Sequence, residues 1–475
     1  MFAYFAELPD KRGKQGKQYD NERGGKLSSK SCGKVVLWQI KKILHCHFPD
    51  LSNRLHSIKD PRTGVEYRIE ELVMSAIVLF MLKCDSRNDF NNKSKDLTFA
   101  KNYKLIFGMR VPGMDAVNDL FERISPEEFE KIHCLLINAL IEKRVFHRLR
   151  IFKNYFCIAI DGTGVYNWGD NPNDSIRQYA LKKESKTGKV SYSSQILEAV
   201  LVCRNGLKIP LLSEWIANDG EDYDKQDCEL KAFKRLSVKI KKYFPRLPVC
   251  ILADGLYSNI VIMDICQQYG WKFITVFKDG NLPSIWTEVE SLLPLSGGSF
   301  NREQYISNST HRITCKYRWI KNIEYQKHSI AWIECVQESV HHKTNIQTTN
   351  RFVFLTDFDI NEKVVFSIIT AGRARWNIED CFNSLKNRGG SLHHKFNRNS
   401  FNAIKNWHNA RLLAFMIEEF VKHSSELLVL KKEDSKLTWK ELWKRLISYL
   451  TMCSVNKLIV EFDNWSKSLR QVRLE

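Results

Sequence analysis

Two short runs constrain this chain more than anything else in it. Tyr155-Phe-Cys-Ile-Ala-Ile160 and Pro248-Val-Cys-Ile-Leu-Ala253 are continuously apolar, and each ends at an Asp-Gly pair, Asp161-Gly162 and Asp254-Gly255. Short apolar runs without polar alternation fit strands buried on both faces, which exist where helices cover a sheet. A single Asp-Gly is among the commonest turn signals and means little. Two of them, each closing a buried strand, predict a pair of carboxylates brought together by one sheet.

The elements around these runs set the order. Gln195–Cys203 and Leu207–Trp215 flank Asn205-Gly206 and read as a hairpin. A helix is predicted from about Lys225 to Phe244, with Leu230, Phe233, Leu236 and Ile240 at helical spacing. After the second run come a short helix, Asn259–Tyr269, and a strand, Trp271–Phe277. Three antiparallel strands, a helix, a strand, a helix and a strand form the order of the ribonuclease H fold. The fold class expected is therefore α/β, a ribonuclease H-like mixed sheet with flanking helices. Residues 151–290 and 358–400 would form this core, and residues 291–357, which alternate around Trp319 and Trp332, a β-rich insertion subdomain. Residues 36–150 read as a helical domain suited to DNA, with Ser125-Pro126 opening one helix. Residues 1–35 read as a flexible basic arm and 401–475 as a helical tail.

Charge narrows the partner. With 73 Lys and Arg against 54 Asp and Glu, the chain carries +19, which favours a polyanion such as nucleic acid. The longest apolar run, Leu72–Leu82, falls short of the ~20 residues that a spanning helix needs. No signal-peptide order is read at the N-terminus. The 13 cysteines include no Cys-x-x-Cys pair, so reduced thiols are expected rather than a zinc ribbon. His45-Cys46-His47 lacks a second ligand pair at finger spacing and reads as a helix end.

Neighbouring carboxylates repel unless a cation lies between them, and hard divalent ions prefer oxygen ligands. A third acid is expected from a late helix, Val364–Leu385, read as one helix or as two broken near Gly372. There Arg375, Glu379 and Lys386 fall on one stripe at about 100° per residue. Asp380 points off that stripe and reads as structural. The acids Asp219, Glu221, Asp222, Asp224 and Asp227 read as a solvated, helix-capping loop.

In these residues the chain resembles the DDE transposases of bacterial insertion sequences, in the branch with a β-rich insertion between the second Asp and the Glu. That branch carries Tyr, two residues, Arg, three residues, Glu, six residues, Lys. Here Arg375, Glu379 and Lys386 keep the spacing, while Gly372 stands at the Tyr position and Trp376 is a candidate substitute. The resemblance implies that Asp161, Asp254 and Glu379 are catalytic and hold two Mg²⁺ ions, replaceable by Mn²⁺, about 3.5–4 Å apart. It implies DNA-binding roles for Arg373, Arg375 and Lys386, which would grip phosphates. It further implies double-stranded DNA with terminal inverted repeats and a target DNA as partners, a homodimer holding two ends, no membrane, and a bacterial cytoplasmic, nucleoid-associated location. Each neutralised phosphate would contribute about −0.9 to the log–log salt slope of binding. Two other readings stay open: a ribonuclease H-like nuclease without strand transfer, and a decayed transposase that only binds DNA. An Asp-x-Asp phosphatase is excluded by Thr163, which stands where the second Asp must be.

Overall fold

The computed structural model describes residues 29–170, 172–185, 187–217, 229–296, 301–434, 436–467 and Leu474. Residues 1–28 of the expected basic arm, and the acidic stretch Asp219–Asp227, lie outside these. The chain divides into two compact units, Ile137–Asn383 on one side and Met1–Leu136 together with Ser384–Glu475 on the other.

The Ile137–Asn383 unit is built on a ten-stranded mixed sheet. Its strands are β1 Phe156–Gly169, β2 Leu181–Glu184, β3 Val190–Val202, β4 Lys208–Trp215, β5 Val249–Ala253, β6 Lys272–Val276, β7 Asn301–Ser307, β8 His311–Tyr325, β9 His328–His341 and β10 Gln347–Thr356. They lie in the order β2-β3-β1-β5-β6-β10-β9-β8-β7, with β4 paired to β3 beyond β2. Among the described residues, only β1–β5 and β5–β6 are parallel pairs. Parallel neighbours need a crossover, and the helix Ile260–Tyr269 supplies the one from β5 to β6. Every residue of β5 is buried, as are the first five of β1, which explains their unbroken apolar sequence. The helix Glu229–Tyr243 buries Ala232, Phe233, Leu236 and Ile240, three and four apart, and packs on β3 and β4. Val365–Ala374 lies against β5, β6 and β10.

Two features differ from the sequence reading. The strands expected to form a separate insertion subdomain instead continue the core sheet. β10 pairs antiparallel with β6 through Phe354↔Val276, Leu355↔Thr275 and Thr356↔Ile274, closing what would otherwise be an open edge. The burial of β10 reflects this double membership, since its first five residues are exposed and its last four are buried. Trp319 and Trp332 are buried as expected of core residues. The buried Glu334 accepts from Arg318 Nε and Arg351 Nε, both at 2.7 Å, and so ties β8, β9 and β10 together.

The second difference is the length of β1, which does not stop at Asp161. Its pairing with β5 ends at Ala159↔Leu252, while its pairing with β3 runs on from Cys157↔Val202 to Gly169↔Tyr192. Asp161 therefore stands where β1 outruns its parallel neighbour, not at a strand end.

The other unit is helical and joins the two ends of the chain, so the expected blocks 36–150 and 401–475 do not coincide with the units. Ile69–Met81 and Phe401–Lys422 pack on each other and are buried around most of their circumference. A helix apolar all round must be covered on all sides, and Met114–Arg123 and Ser29–His47 complete the cover of Phe401–Lys422. Buried amides stitch these helices. Asn406 Nδ2 donates to the carbonyls of Phe121 and Ile124 at 2.9 and 3.0 Å, and Asn102 Nδ2 to those of Leu450 and Cys453 at 2.7 Å each. Lys83 and Lys422 pair with the buried Glu418.

Candidate active site

β1 and β5, as adjacent parallel strands, bring Asp161 and Asp254 to one end of the sheet. Asp254 directly follows β5 and caps a short 3₁₀ turn, Gly255–Tyr257, accepting from the Leu256 N–H at 2.9 Å. Asp161 accepts from its neighbour Gly162 N–H at 3.0 Å.

The late helix is two helices, Val365–Ala374 and Asn377–Asn387, with the break at Arg375-Trp376. Gly372 lies inside the first helix, not at the break. Arg375 is 6% exposed, and its guanidinium bridges two acids: Nη2 donates to Glu379 Oε1 at 2.8 Å, and Nη1 stands 3.6 Å from Asp161 Oδ2. Its Nε is buried and has no partner among the described residues. The Arg that a surface stripe would aim at solvent is thus turned inward, onto the carboxylates. Asp380 accepts from Lys208 Nζ at 2.8 Å, which fastens the second helix to β4. Trp376 remains exposed beside Arg375, whose guanidinium lies 5.4 Å from the ring centre.

The remaining residues singled out from sequence occupy different surroundings. Arg373 reaches the extended part of the sheet, donating to Gln337 at 2.9 Å and lying 4.5 Å over the Phe352 ring. Lys386 is partly exposed in the last turn of Asn377–Asn387 and groups by packing with the helical unit. Gly372 has a packing reason, since a Cβ there would stand 2.5 Å from Phe354 Cε1. No tyrosine fits at that position while the helix lies this close to β10.

Sequence reasoning missed one acid. Glu229, the first residue of the helix Glu229–Tyr243, accepts from Tyr257 Oη at 3.3 Å and lies against Gly162. A lone Glu at a helix start in a charged segment carries no signal of its own. The faint clue was Gly162, a glycine inside a strand, which marks a close approach.

Electrostatics bind these groups together. Burial pushes the Asp161 carboxyl up, Arg375 pulls it back, and the nearby Asp254 and Glu229 carboxylates raise it again, leaving it at about 6. Burial and then Asp254 raise Glu229, partly offset by the Tyr257 hydrogen bond. Tyr257 is raised by burial and by the same three carboxylates, so it stays protonated and donates. The acids are mutually unfavourable, and one guanidinium relieves only part of the repulsion.

The donors named here are all carboxylates, the hard oxygen set that suits Mg²⁺ or Mn²⁺ rather than zinc or copper. Among the described residues, no three His, Cys, Asp or Glu side chains stand close enough to form a ready-made metal cage. Arg375 instead occupies the space between Asp161 and Glu379 as a resident cation. Among the described residues, no helix is long and apolar enough to cross a membrane. Compared with the models of known protein families and with curated proteins, the chain matches none.

Proposed function

We propose that the protein is a DDE transposase with a ribonuclease H-like core, which binds the inverted terminal repeats of an insertion sequence and catalyses metal-dependent strand cleavage and strand transfer. The observation that carries this reading is the convergence of Asp161 and Asp254, from adjacent parallel strands, with Glu379, joined to Asp161 through Arg375. The strand order β4-β3-β1-β5-β6 supports it, because it places the acid-bearing strands at the centre of the sheet.

Asp161, Asp254 and Glu379 would hold the divalent ions. When bound, these ions would activate the attacking oxygen and stabilise the leaving oxygen of an in-line displacement at phosphorus. The residues themselves have distinct tasks. Arg375 orients Glu379 and Asp161, and the Glu379 side chain is 39% exposed, free enough to turn from the guanidinium toward an ion. Asp380 and Lys208 hold the Glu379 helix against the sheet. The exposed Lys278, whose stem lies over Gly255 beside Asp254, is placed to meet a phosphate, and the exposed Trp376 offers a flat face to a base. Such phosphate contacts fix the strand without reading its sequence.

The test is direct. Purified protein, DNA bearing the element's ends and Mg²⁺ should yield nicked ends and then joined products. Asp161→Asn, Asp254→Asn and Glu379→Gln should each lower cleavage by more than about 100-fold, since even outer-shell partners of metal ligands cost ~10–100-fold. End binding in a mobility-shift assay should survive. Cleavage without joining would point to a nuclease, and end binding without cleavage to a decayed enzyme.

A further inference from the structure

Gly162 is not a glycine for the sake of its backbone. It lies within β1, in regular register opposite Leu197, and its φ is not in the left-handed region. What it lacks is room: a Cβ would stand 2.5 Å from Glu229 Oε1 and 2.7 Å from Glu229 Cδ. The space beside Asp161 that a side chain would fill is filled by the carboxyl group of a residue from another element.

That carboxyl is held in place. Tyr257 Oη donates to Glu229 Oε2 at 3.3 Å, and Tyr257 is fixed in turn by the Phe233 ring, edge to face at 5.6 Å, one helical turn along from Glu229. An acid at the start of a helix gains from the helix dipole while its carboxylate stays in water. That preference does not account for turning it inward against Asp161 and Asp254. Among the described residues, neither Asp254 nor Glu229 has a Lys or Arg ion-pair partner, while the buried guanidinium of Arg375 serves Asp161 and Glu379 and keeps an unpaired Nε. On the Asp254–Glu229 side of the site, therefore, no Lys or Arg among the described residues pairs with either carboxylate.

We infer that Glu229 is a fourth carboxylate of the site and binds the divalent cation together with Asp161 and Asp254, an assignment that rests on the metal-dependent reaction proposed above. Gly162 is then the device that admits it.

Mn²⁺ binding to the full-length chain, measured by calorimetry without DNA, separates the possibilities. Glu229→Gln keeps the shape and an acceptor for Tyr257, and should weaken Mn²⁺ binding about 10- to 100-fold without lowering the melting temperature of the metal-free protein. Gly162→Ala keeps every charge but displaces the carboxylate, and should weaken Mn²⁺ binding in the same direction, which covers the case of a poorly folding Gln variant. Wild-type Mn²⁺ affinity in both variants, with Asp161→Asn still defective, overturns the role of Glu229 and leaves the transposase reading standing. No Mn²⁺ binding by the wild-type chain overturns the role of Glu229 and the metal-dependent reading together. A lowered melting temperature for Glu229→Gln with unchanged Mn²⁺ affinity would make Glu229 a structural acid and overturn its assignment as a ligand.

Discussion

At the scale of single residues, the site depends on side chains placed against their usual preferences: a buried arginine, an inward glutamate, and glycines chosen for space. Gly372 makes a clear case. Alanine is favoured over glycine in a helix by about 1 kcal/mol, yet a Cβ at 372 would press into the Phe354 ring at 2.5–2.8 Å. Overpacking of this kind costs ~1–3 kcal/mol, so Gly372→Ala should be neutral to destabilising in urea, and Gly372→Tyr should lose folding altogether. A clear stabilisation by Ala would show that the helix can lift from β10. A second case lies in the helical unit. Burial alone would raise the Glu71 carboxyl, but hydrogen bonds from the Arg110 side chain and from the Arg110 and Arg68 N–H groups reverse this and hold it at about 2. Its folded pKa lies below the unfolded value of 4.5, so the stabilisation is fully present above pH 4.5 and fades as pH falls toward 2. Glu71→Gln should cost about 1.5–3 kcal/mol at pH 7, and the gap to wild type in urea midpoint should narrow below pH 4. A gap that stays constant with pH would argue against the linkage.

At the scale of elements, much was legible because local periodicity carries it. The apolar runs ending at Asp161 and Asp254, the hairpin at Asn205-Gly206 and the amphipathic helix through Phe233 and Ile240 all follow from spacing. The polar helix Arg87–Ser94 escaped notice because it buries only Phe90, although its cap at Ser86, which accepts from the Asp89 N–H, is an ordinary start signal. What no local pattern could reveal was pairing at a distance. Nothing in Gln347–Thr356 announces that its last three residues pair with β6, or that Arg375 turns inward, because an arginine followed by a glutamate four residues on reads as a surface pair. The amide stitches were equally silent. Asn102 donates to two carbonyls at the end of Trp439–Met452 and accepts from the Val455 N–H at 3.2 Å. Asn102→Ala should therefore cost ~2–4 kcal/mol, several buried hydrogen bonds at about 1 kcal/mol each plus the carbonyls left bare. A change within 0.5 kcal/mol would mean that water replaces the amide.

At the scale of the whole molecule, one unit is continuous in sequence and the other is not. Residues 137–383 form a single stretch, whereas the helical unit needs both Met1–Leu136 and Ser384–Glu475. A chain ending after residue 383 should keep the strand signature of the sheet in circular dichroism and lose the helical unit, since Ile69–Met81 would lack its Phe401–Lys422 partner. Slow amide exchange within Ile69–Met81 in such a fragment would show that the N-terminal helices stand alone. The divided unit also sets a timetable. Synthesis proceeds at about 5–20 residues per second, so the first helices leave the ribosome on the order of ten seconds or more before the segment that covers them exists. During that interval Leu72–Leu82 is an exposed greasy surface in search of a partner, and every nonsense codon upstream of Phe401 makes that wait permanent. Quality control, not catalysis, is the first filter such a protein meets, and only a chain translated through Phe401–Lys422 leaves that filter with Ile69–Met81 covered.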